Sequence, residues 1–202
     1  GFFDLVAYEG TGVTRTISHN LGAVPELLIT KRRDTTGNWN VYSSATGASN
    51  RLRLDQTVAS GSTTLWNDTA PTSSVFTLRS NSGVNASGGD FIAFLFATLP
   101  GISKVGSYTG NGTSQTIDCG FSAGARFVLT KRTDSTSNWN LFNSELGIVA
   151  GSELRLELNT SDAYQGSDFL DPNSSGFIVN YVTSNDNDSN ISGASYIFLA
   201  IA

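Results

Sequence analysis

Short apolar runs, some alternating with polar residues and some continuous, fill the chain between glycine, asparagine, aspartate and proline residues. Alternation with a period of two predicts β-strands, because successive side chains of a strand point to opposite faces of the sheet. Helical periodicity is nearly absent. The first half contains the predicted strands Phe3–Tyr8, Val13–Ser18, Glu26–Arg32, Trp39–Ser43, Arg51–Leu54, Thr63–Trp66, Val75–Arg79 and Phe91–Ala97. The second half contains the predicted strands Lys104–Tyr108, Ser114–Asp118, Arg126–Arg132, Trp139–Phe142, Glu153–Glu157, Tyr164–Phe169, Phe177–Val182 and Tyr196–Ala202.

The chain also repeats itself. Three motifs recur 100 positions later: Tyr8-Glu-Gly-Thr-Gly12 at Tyr108–Gly112, Thr30-Lys-Arg-Arg-Asp34 at Thr130–Asp134, and Asn38-Trp-Asn40 at Asn138–Asn140. A period longer than about 50 residues exceeds that of solenoid repeats and indicates a duplicated domain. About eight short strands per copy are typical of a sandwich or jelly roll. We therefore predict an all-β chain of two tandem antiparallel β-sandwich (jelly-roll-like) domains, repeat 1 at 1–99 and repeat 2 at 100–202.

The last strand of each copy, Phe91–Ala97 and Tyr196–Ala202, is apolar on both faces. A strand of this kind is expected in the middle of a sheet with both faces covered. Trimming the C-terminus is therefore expected to destabilise the protein.

The composition of the chain excludes several classes of partner. Charged residues make up 14% of the chain and the net charge is -5, whereas phosphate binding needs a cationic patch, so we expect no nucleic-acid partner. No apolar run reaches about 18 residues, so we expect no membrane insertion. Cys119 is the one cysteine, which excludes an intrachain disulfide. The chain lacks methionine and begins at Gly1, and we expect it to be the C-terminal piece of a longer polypeptide.

Candidates for catalysis are few. His19 is the only histidine and corresponds to Cys119 of the second copy, so neither copy holds the paired groups that a nucleophilic triad requires. Ser18 points to the opposite strand face from His19. We expect a turn or loop histidine, no catalytic residue, no bound metal and no cofactor.

Paired carboxylates would suit a glycosidase. The acids common to both copies are Asp34 with Asp134 and, conservatively, Asp55 with Glu157. The first pair lies at a turn and the second at a strand end, where acidic residues commonly have structural roles. We therefore favour structural roles for these acids over a glycosidase site.

The segment Asn185–Asn190 is rich in the oxygen ligands that calcium prefers. It lacks the glycine and distal glutamate of an EF-hand loop. A solvated loop is the favoured interpretation, with a calcium ion at Asp186 and Asp188 as the alternative.

A hairpin is the strongest local motif. Leu27–Arg33 and Asn38–Ser43 form its predicted arms, and Asp34-Thr-Thr-Gly37 its turn. Gly37 would tolerate a positive φ there. Copy two has Ser137 at that position, so its turn is expected to differ.

The hairpins carry the best binding candidates. An exposed tryptophan flanked by amides and charges could stack on a sugar ring while the polar groups bind its hydroxyls. Alternatively, the indoles fill the core and the arginine and aspartate pair with each other. The candidate ligand-binding residues are Trp39, Trp139, Arg32, Arg132, Asp34, Asp134, Asn38 and Asn138.

The chain resembles a tandem β-rich domain family found in virion structural and tail-fibre proteins of tailed phages, notably marine cyanophages, and prophages. Asn140–Glu145 departs from it, because many relatives are more aromatic in that region. The segments that carry the resemblance cover most of the chain: Gly1–Tyr8, Thr16–Glu26, Thr30–Asp34, Leu65–Ser74, Val105–Phe121, Gly124–Thr136 and Tyr196–Ala202.

The resemblance implies a non-enzymatic virion structural protein on the surface of the extracellular particle. We expect it to form the distal part of a tail fibre or similar appendage and to serve adhesion to a host-surface glycan. Its partners would be other virion proteins and copies of itself, as a homo-oligomer that analogy makes a trimer. The alternatives are a capsid decoration or capsid-fibre protein and, from another class, a secreted carbohydrate-active enzyme or its carbohydrate-binding module.

Overall fold

The apolar runs form antiparallel strands in this computed structural model, which describes residues 1–182 and 189–202. The predicted all-β class is confirmed. In the first half the strands are β1 Phe3–Glu9, β2 Arg15–Ser18, β3 Leu27–Arg32, β4 Asn40–Ser43, β5 Asn50–Arg53, β6 Gly61–Ser62, β7 Val75–Leu78 and β8 Asp90–Phe96, with the short helix α1 Ser82–Asn85. In the second half they are β9 Ser103–Thr109, β10 Gln115–Asp118, β11 Phe127–Arg132, β12 Trp139–Asn143, β13 Glu153–Glu157, β14 Gln165–Ser167, β15 Leu170–Asn173, β16 Gly176–Val179 and β17 Ser195–Ile201.

The chain divides into two compact units. The first contains Gly1–Asp55 and Ser60–Ala97, and the second contains Gln56–Ala59 and Thr98–Ala202. Four residues from the first half of the chain thus belong to the second unit, where the backbone carbonyl of Thr57 accepts a hydrogen bond from the Ser137 amide at 2.9 Å.

The first unit is a sandwich of a six-stranded sheet and a two-stranded ribbon. The sheet has the order β1-β8-β3-β4-β5-β6, and β2 pairs with β7 in the ribbon. Apolar side chains fill the space between these layers. The buried core consists of Ile17, Leu21, Leu28, Tyr42, Leu65, Trp66, Phe76, Leu78, Val84, Ala93, Leu95 and Ala97.

The second unit has a sheet of the same order, β9-β17-β11-β12-β13-β14, among its described residues. Its smaller layer has the order β10-β16-β15. The core between the layers contains Ile117, Cys119, Phe121, Val128, Phe142, Phe169, Leu170, Phe177, Val179, Phe198 and Ala200.

The last strand of each half lies within its sheet, as predicted. β8 pairs with both β1 and β3, and β17 pairs with both β9 and β11. Both faces of β17 are buried, whereas β8 buries one face and half-buries the other.

One predicted strand is wrong. Thr63–Trp66 contributes no strand; a turn covers Leu65–Asp68, and Leu65 and Trp66 are both buried in the core. Adjacent residues of a strand point to opposite faces, so a turn is what allows both side chains into one core. Gly37 does not adopt a positive φ, which explains why serine is acceptable at position 137.

The predicted hairpin is confirmed, with Leu27 opposite Ser43 and Thr30 opposite Asn40 in β3 and β4. Its corresponding strands in the second unit, β11 and β12, pair in the same register.

Buried asparagines explain part of the repeated motifs. Asn85 and Asn190 are both fully buried. The Oδ1 of Asn85 accepts the Thr11 amide at 2.9 Å, and the Oδ1 of Asn190 accepts the Asn111 amide at 3.0 Å. Each asparagine therefore holds the Gly-x-Gly turn that follows the first strand of its unit.

Candidate functional site

A polar cleft of about 350 Å³ opens in the first unit where the β3–β4 hairpin, β5 and α1 meet. Its volume lies at the lower end of the range of small-ligand sites. The lining residues are Arg32, Thr36, Gly37, Asn38, Asn40, Arg51, Arg53, Leu65, Asn81, Ser82 and Gly83. Arginine and asparagine side chains dominate, so the cleft offers mainly hydrogen-bond donors and positive charge.

Two of the arginines share one strand face. Arg51 and Arg53 are two residues apart on β5, and a period of two places them side by side. Nη1 of Arg51 donates to Oγ1 of Thr63 at 3.1 Å. Burial, and then the neighbouring charge of Arg53, lower the pKa of Arg51. The two guanidinium groups are therefore close enough to repel each other.

Arg32 is neutralised within its own hairpin. Its Nε and Nη2 donate to the two carboxylate oxygens of Asp34 at 2.7 and 2.9 Å. This bidentate contact lowers the pKa of Asp34 to about 2. Arg132 and Asp134 form the same pair at 2.9 and 3.2 Å. The predicted pairing of arginine with aspartate is thus present in both units, and Asp34 is not among the lining residues of the cleft.

Carboxamide groups also line the cleft. Nδ2 of Asn40 donates to the Gly83 carbonyl at 3.1 Å, which ties the start of β4 to α1. Oδ1 of Asn81 accepts the Gly83 amide at 2.8 Å. Asn38, a predicted site residue, also lines the cleft.

The tryptophans do not form a pair of exposed platforms. Trp139 is 1% exposed, so a sugar has no access to its ring and the stacking hypothesis is wrong at this position. Trp39 is half-buried, stacks on Phe94 with a centroid distance of 6.1 Å, and lies 5.8 Å from Nζ of Lys31. It is not among the residues that line the cleft.

Backbone contacts establish which residues of the two units correspond. The Trp39 carbonyl accepts the Leu54 amide, as the Trp139 carbonyl accepts the Leu158 amide, both at 3.0 Å. Asn40 pairs with Arg53 across β4 and β5, and its counterpart Asn140 pairs with Glu157.

Glu157 therefore corresponds to Arg53 and Arg155 to Arg51. The predicted correspondence of Asp55 with Glu157 is wrong. Asp55 corresponds to Asn159, because each accepts a tryptophan amide through Oδ1. Arg51 and Arg53 are not among the predicted site residues. A sign of their importance is present in the sequence, where Arg-Leu-Arg in one copy becomes Arg-Leu-Glu in the other.

In the second unit the corresponding positions form a closed polar network. Nη2 of Arg155 donates to Oε1 of Glu157 at 2.8 Å, and Nδ2 of Asn138 donates to Oε2 at 2.9 Å. Nε of Arg155 donates to Oδ1 of Asn140 at 3.1 Å. The side chains of Arg155 and Glu157 are 4% and 5% exposed. Asn138, a predicted binding residue, is thus held inside the protein.

The Phe169 ring packs against this polar network of the second unit. The guanidinium carbon of Arg155 lies 4.2 Å from the Phe169 ring centroid. Leu65 takes the place of Phe169 in the first unit, because its carbonyl accepts the Arg79 amide as the Phe169 carbonyl accepts the Asn180 amide. The cavity at Phe169 has a volume of only about 10 Å³. Phe169 thus packs on the guanidinium of Arg155, whereas the smaller Leu65 lines the open cleft of the first unit.

His19 and Cys119 occupy corresponding positions and make structural contacts. Nδ1 of His19 accepts the Leu21 amide at 3.3 Å, and its Nε2 lies 3.1 Å from the Thr72 carbonyl oxygen. Burial, with a smaller contribution from Asp118, raises the pKa of the Cys119 thiol to about 12. A thiol in that state is a poor nucleophile at neutral pH.

The remaining acidic candidates have structural contacts or lie outside the described residues. Oδ1 of Asp55 accepts the Trp39 amide at 3.1 Å. The proposed calcium ligands Asp186 and Asp188 are outside the described residues. Within residues 1–182 and 189–202, no group of three or more histidine, cysteine, aspartate or glutamate side chains is arranged to hold a metal ion. No helix in that part of the chain is long and apolar enough to cross a membrane.

A buried carboxyl group at Glu153 makes stability depend on pH. Its Oε1 accepts the amides of Phe169 and Leu170 at 2.7 and 2.8 Å, and burial raises its pKa from 4.5 to about 7. Because the folded protein favours the protonated form, this contribution to stability is complete below pH 4.5 and is lost as the pH rises through 7.

Glu153→Gln is therefore expected to remove a decline in unfolding free energy of the order of 2–3 kcal/mol between pH 4.5 and 7. Urea denaturation of both proteins across that range measures the difference. Parallel pH profiles for the variant and the parent would contradict the assignment.

The fold and the cleft together define an all-β sandwich protein with a cationic, carboxamide-lined surface cleft. A family model described as a domain of unknown function, DUF7483, matches residues 1–202, and the chain belongs to that family. The matched region contains both copies of the repeat. No curated protein and no solved structure matches the chain.

Proposed function

We propose that the protein is a non-enzymatic component of a phage virion, the distal part of a tail fibre or similar appendage, that adheres to a host-surface glycan. The open cleft of the first unit carries the adhesive part of this proposal. It has about 350 Å³ of volume and is lined by arginine and asparagine side chains. Such donors suit sugar hydroxyls and ring oxygens, which accept hydrogen bonds in fixed directions.

The virion part of the proposal rests on the resemblance of the sequence segments to phage structural proteins. The non-enzymatic part is supported by the contacts of His19 and Cys119, which are engaged with backbone groups in the sandwich. The carboxylate of Asp34 is likewise paired with Arg32. None of these side chains faces a substrate space together with a second reactive group in the described residues.

Removing one donor from the cleft should weaken glycan binding without unfolding the protein. Asn38→Ala is expected to reduce affinity about five- to tenfold, the effect of roughly one hydrogen bond. A glycan array followed by calorimetric titration of the strongest binder measures this. Asn20→Ala, at an exposed asparagine outside the cleft, serves as the control. Equal losses for both variants, or no binding by the parent protein, would contradict the adhesive role.

Location on the particle tests the virion role separately. Gold-labelled antibodies against the chain should mark the tail appendages in electron micrographs. Label on the capsid would support a decoration protein instead, and unlabelled particles would contradict any virion role. Light scattering of the isolated protein tests the proposed trimer, since a monomer at high concentration would contradict it.

A further inference from the structure

The second unit shows how side chains at these positions bind a carboxylate. The Glu157 carboxylate receives Nη2 of Arg155 on one oxygen and Nδ2 of Asn138 on the other, at 2.8 and 2.9 Å. Charge-assisted bonds of this length are among the strongest in proteins. The network shows that an arginine and an asparagine at these two positions can hold a carboxylate out of water.

The first unit keeps the donors and lacks that acid. Asn38 and Arg51 stand where the second unit has Asn138 and Arg155, but Arg53 replaces Glu157. No described residue that lines the cleft is acidic. Two neighbouring arginines in a partly buried cleft repel each other, and an anion placed between them removes that repulsion.

Space for such an anion is present in the first unit. The Phe169 ring packs 4.2 Å from the guanidinium carbon of Arg155, whereas the corresponding Leu65 is smaller and lines the open cleft. The cleft of the first unit has a volume of about 350 Å³. A larger group attached to the carboxylate therefore fits there.

We propose that this cleft binds the carboxylate of an acidic sugar residue, a uronic acid, between Arg51 and Arg53. The ligand's carboxylate takes the role that Glu157 has in the second unit, and its sugar ring occupies the volume that Phe169 fills there. The carboxamides of Asn38 and Asn81 face the ring hydroxyls. The inference rests on the proposed glycan-binding function and names its ligand class.

The probe is a galacturonic acid tetramer, with its fully methyl-esterified form as the matched neutral ligand. Calorimetric titration should give at least tenfold weaker binding for the ester, since it keeps the sugar but loses the charge. Affinity for the acid should fall as salt rises from 50 to about 300 mM, because part of the attraction is screened.

Arg53→Glu reproduces the Arg-Leu-Glu sequence of the second unit and should form an internal pair with Arg51. We expect it to reduce binding of the acid at least tenfold while circular dichroism and melting temperature are maintained. Arg53→Gln removes only the positive charge. It should also weaken binding of the acid, and it serves as the test if the glutamate variant folds poorly. Arg126→Glu, an exposed arginine of the second unit, makes the same change in net charge and should bind within twofold of the parent.

The outcomes separate the two proposals. Equal binding of acid and ester would overturn the carboxylate assignment and leave glycan adhesion standing. A sulfated galactose tetramer that binds as tightly as the acid would also overturn it. Binding of neither acidic nor neutral oligosaccharides by the parent protein would overturn both proposals.

Discussion

Replacing Glu157 with leucine is expected to destabilise the second unit by about 3–5 kcal/mol, the usual cost of removing one member of a buried ion pair. The Arg155 guanidinium is 4% exposed and would lose its only described carboxylate partner. Nδ2 of Asn138 would lose its acceptor at 2.9 Å. Guanidinium denaturation followed by circular dichroism measures the change in unfolding free energy.

The double variant Arg155→Met/Glu157→Leu provides the matched control. It removes both charges and keeps an apolar side chain against Phe169, so it should be more stable than Glu157→Leu alone, because no unpaired charge remains. The account would be contradicted if the unfolding free energy of the double variant fell by the sum of the losses in Arg155→Met and Glu157→Leu.

Apolar periodicity predicted most strands because each sheet must bury at least one face. Periodicity correctly predicted, from the continuous apolar run in β17, a strand inside its sheet that is buried on both faces. It failed at Leu65 and Trp66, which are apolar but lie in a turn that directs both side chains into one core. Periodicity shows which residues are buried and does not show how the backbone brings them there.

The cleft could not be predicted in the same way, because it depends on strand register. The connection between β4 and β5 runs from Ser43 to Asn50, whereas the one between β12 and β13 runs from Asn143 to Glu153. The correspondence between copies therefore shifts from 100 positions at Asn40 and Asn140 to 104 at Arg53 and Glu157. A comparison at constant spacing pairs the wrong residues and misses the exchange of an acid for an arginine.

The two copies consequently share a scaffold and differ in the side chains that it carries. The bidentate pairs of Arg32 with Asp34 and of Arg132 with Asp134 are the same in both. One difference lies at the cleft, where Arg53 and Leu65 replace Glu157 and Phe169. The exchange of the acid for an arginine makes the cleft of the first unit cationic, and this makes the first unit the place to look for a ligand.

The repeated Tyr-x-Gly-x-Gly motif belongs to the shared scaffold, and Gly110→Ala is expected to destabilise the second unit by about 3 kcal/mol. A Cβ at Gly110 would lie 2.1 Å from the Ile191 carbonyl oxygen, and one at Gly10 would lie equally close to that of Ala86. Both obstacles are backbone atoms, so the strand and the turn must separate to admit a methyl group.

Gly37→Ala is the control, because a Cβ there meets nothing within 4 Å and the φ is not positive. It should change the unfolding free energy by less than about 1 kcal/mol, and it can be slightly stabilising, since alanine restricts the unfolded chain. Thermal melts of Gly10→Ala, Gly110→Ala and Gly37→Ala compare the three directly. If Gly110→Ala had the same melting temperature as Gly37→Ala, close packing would not explain the repeated motif. These glycines would then have a role other than packing.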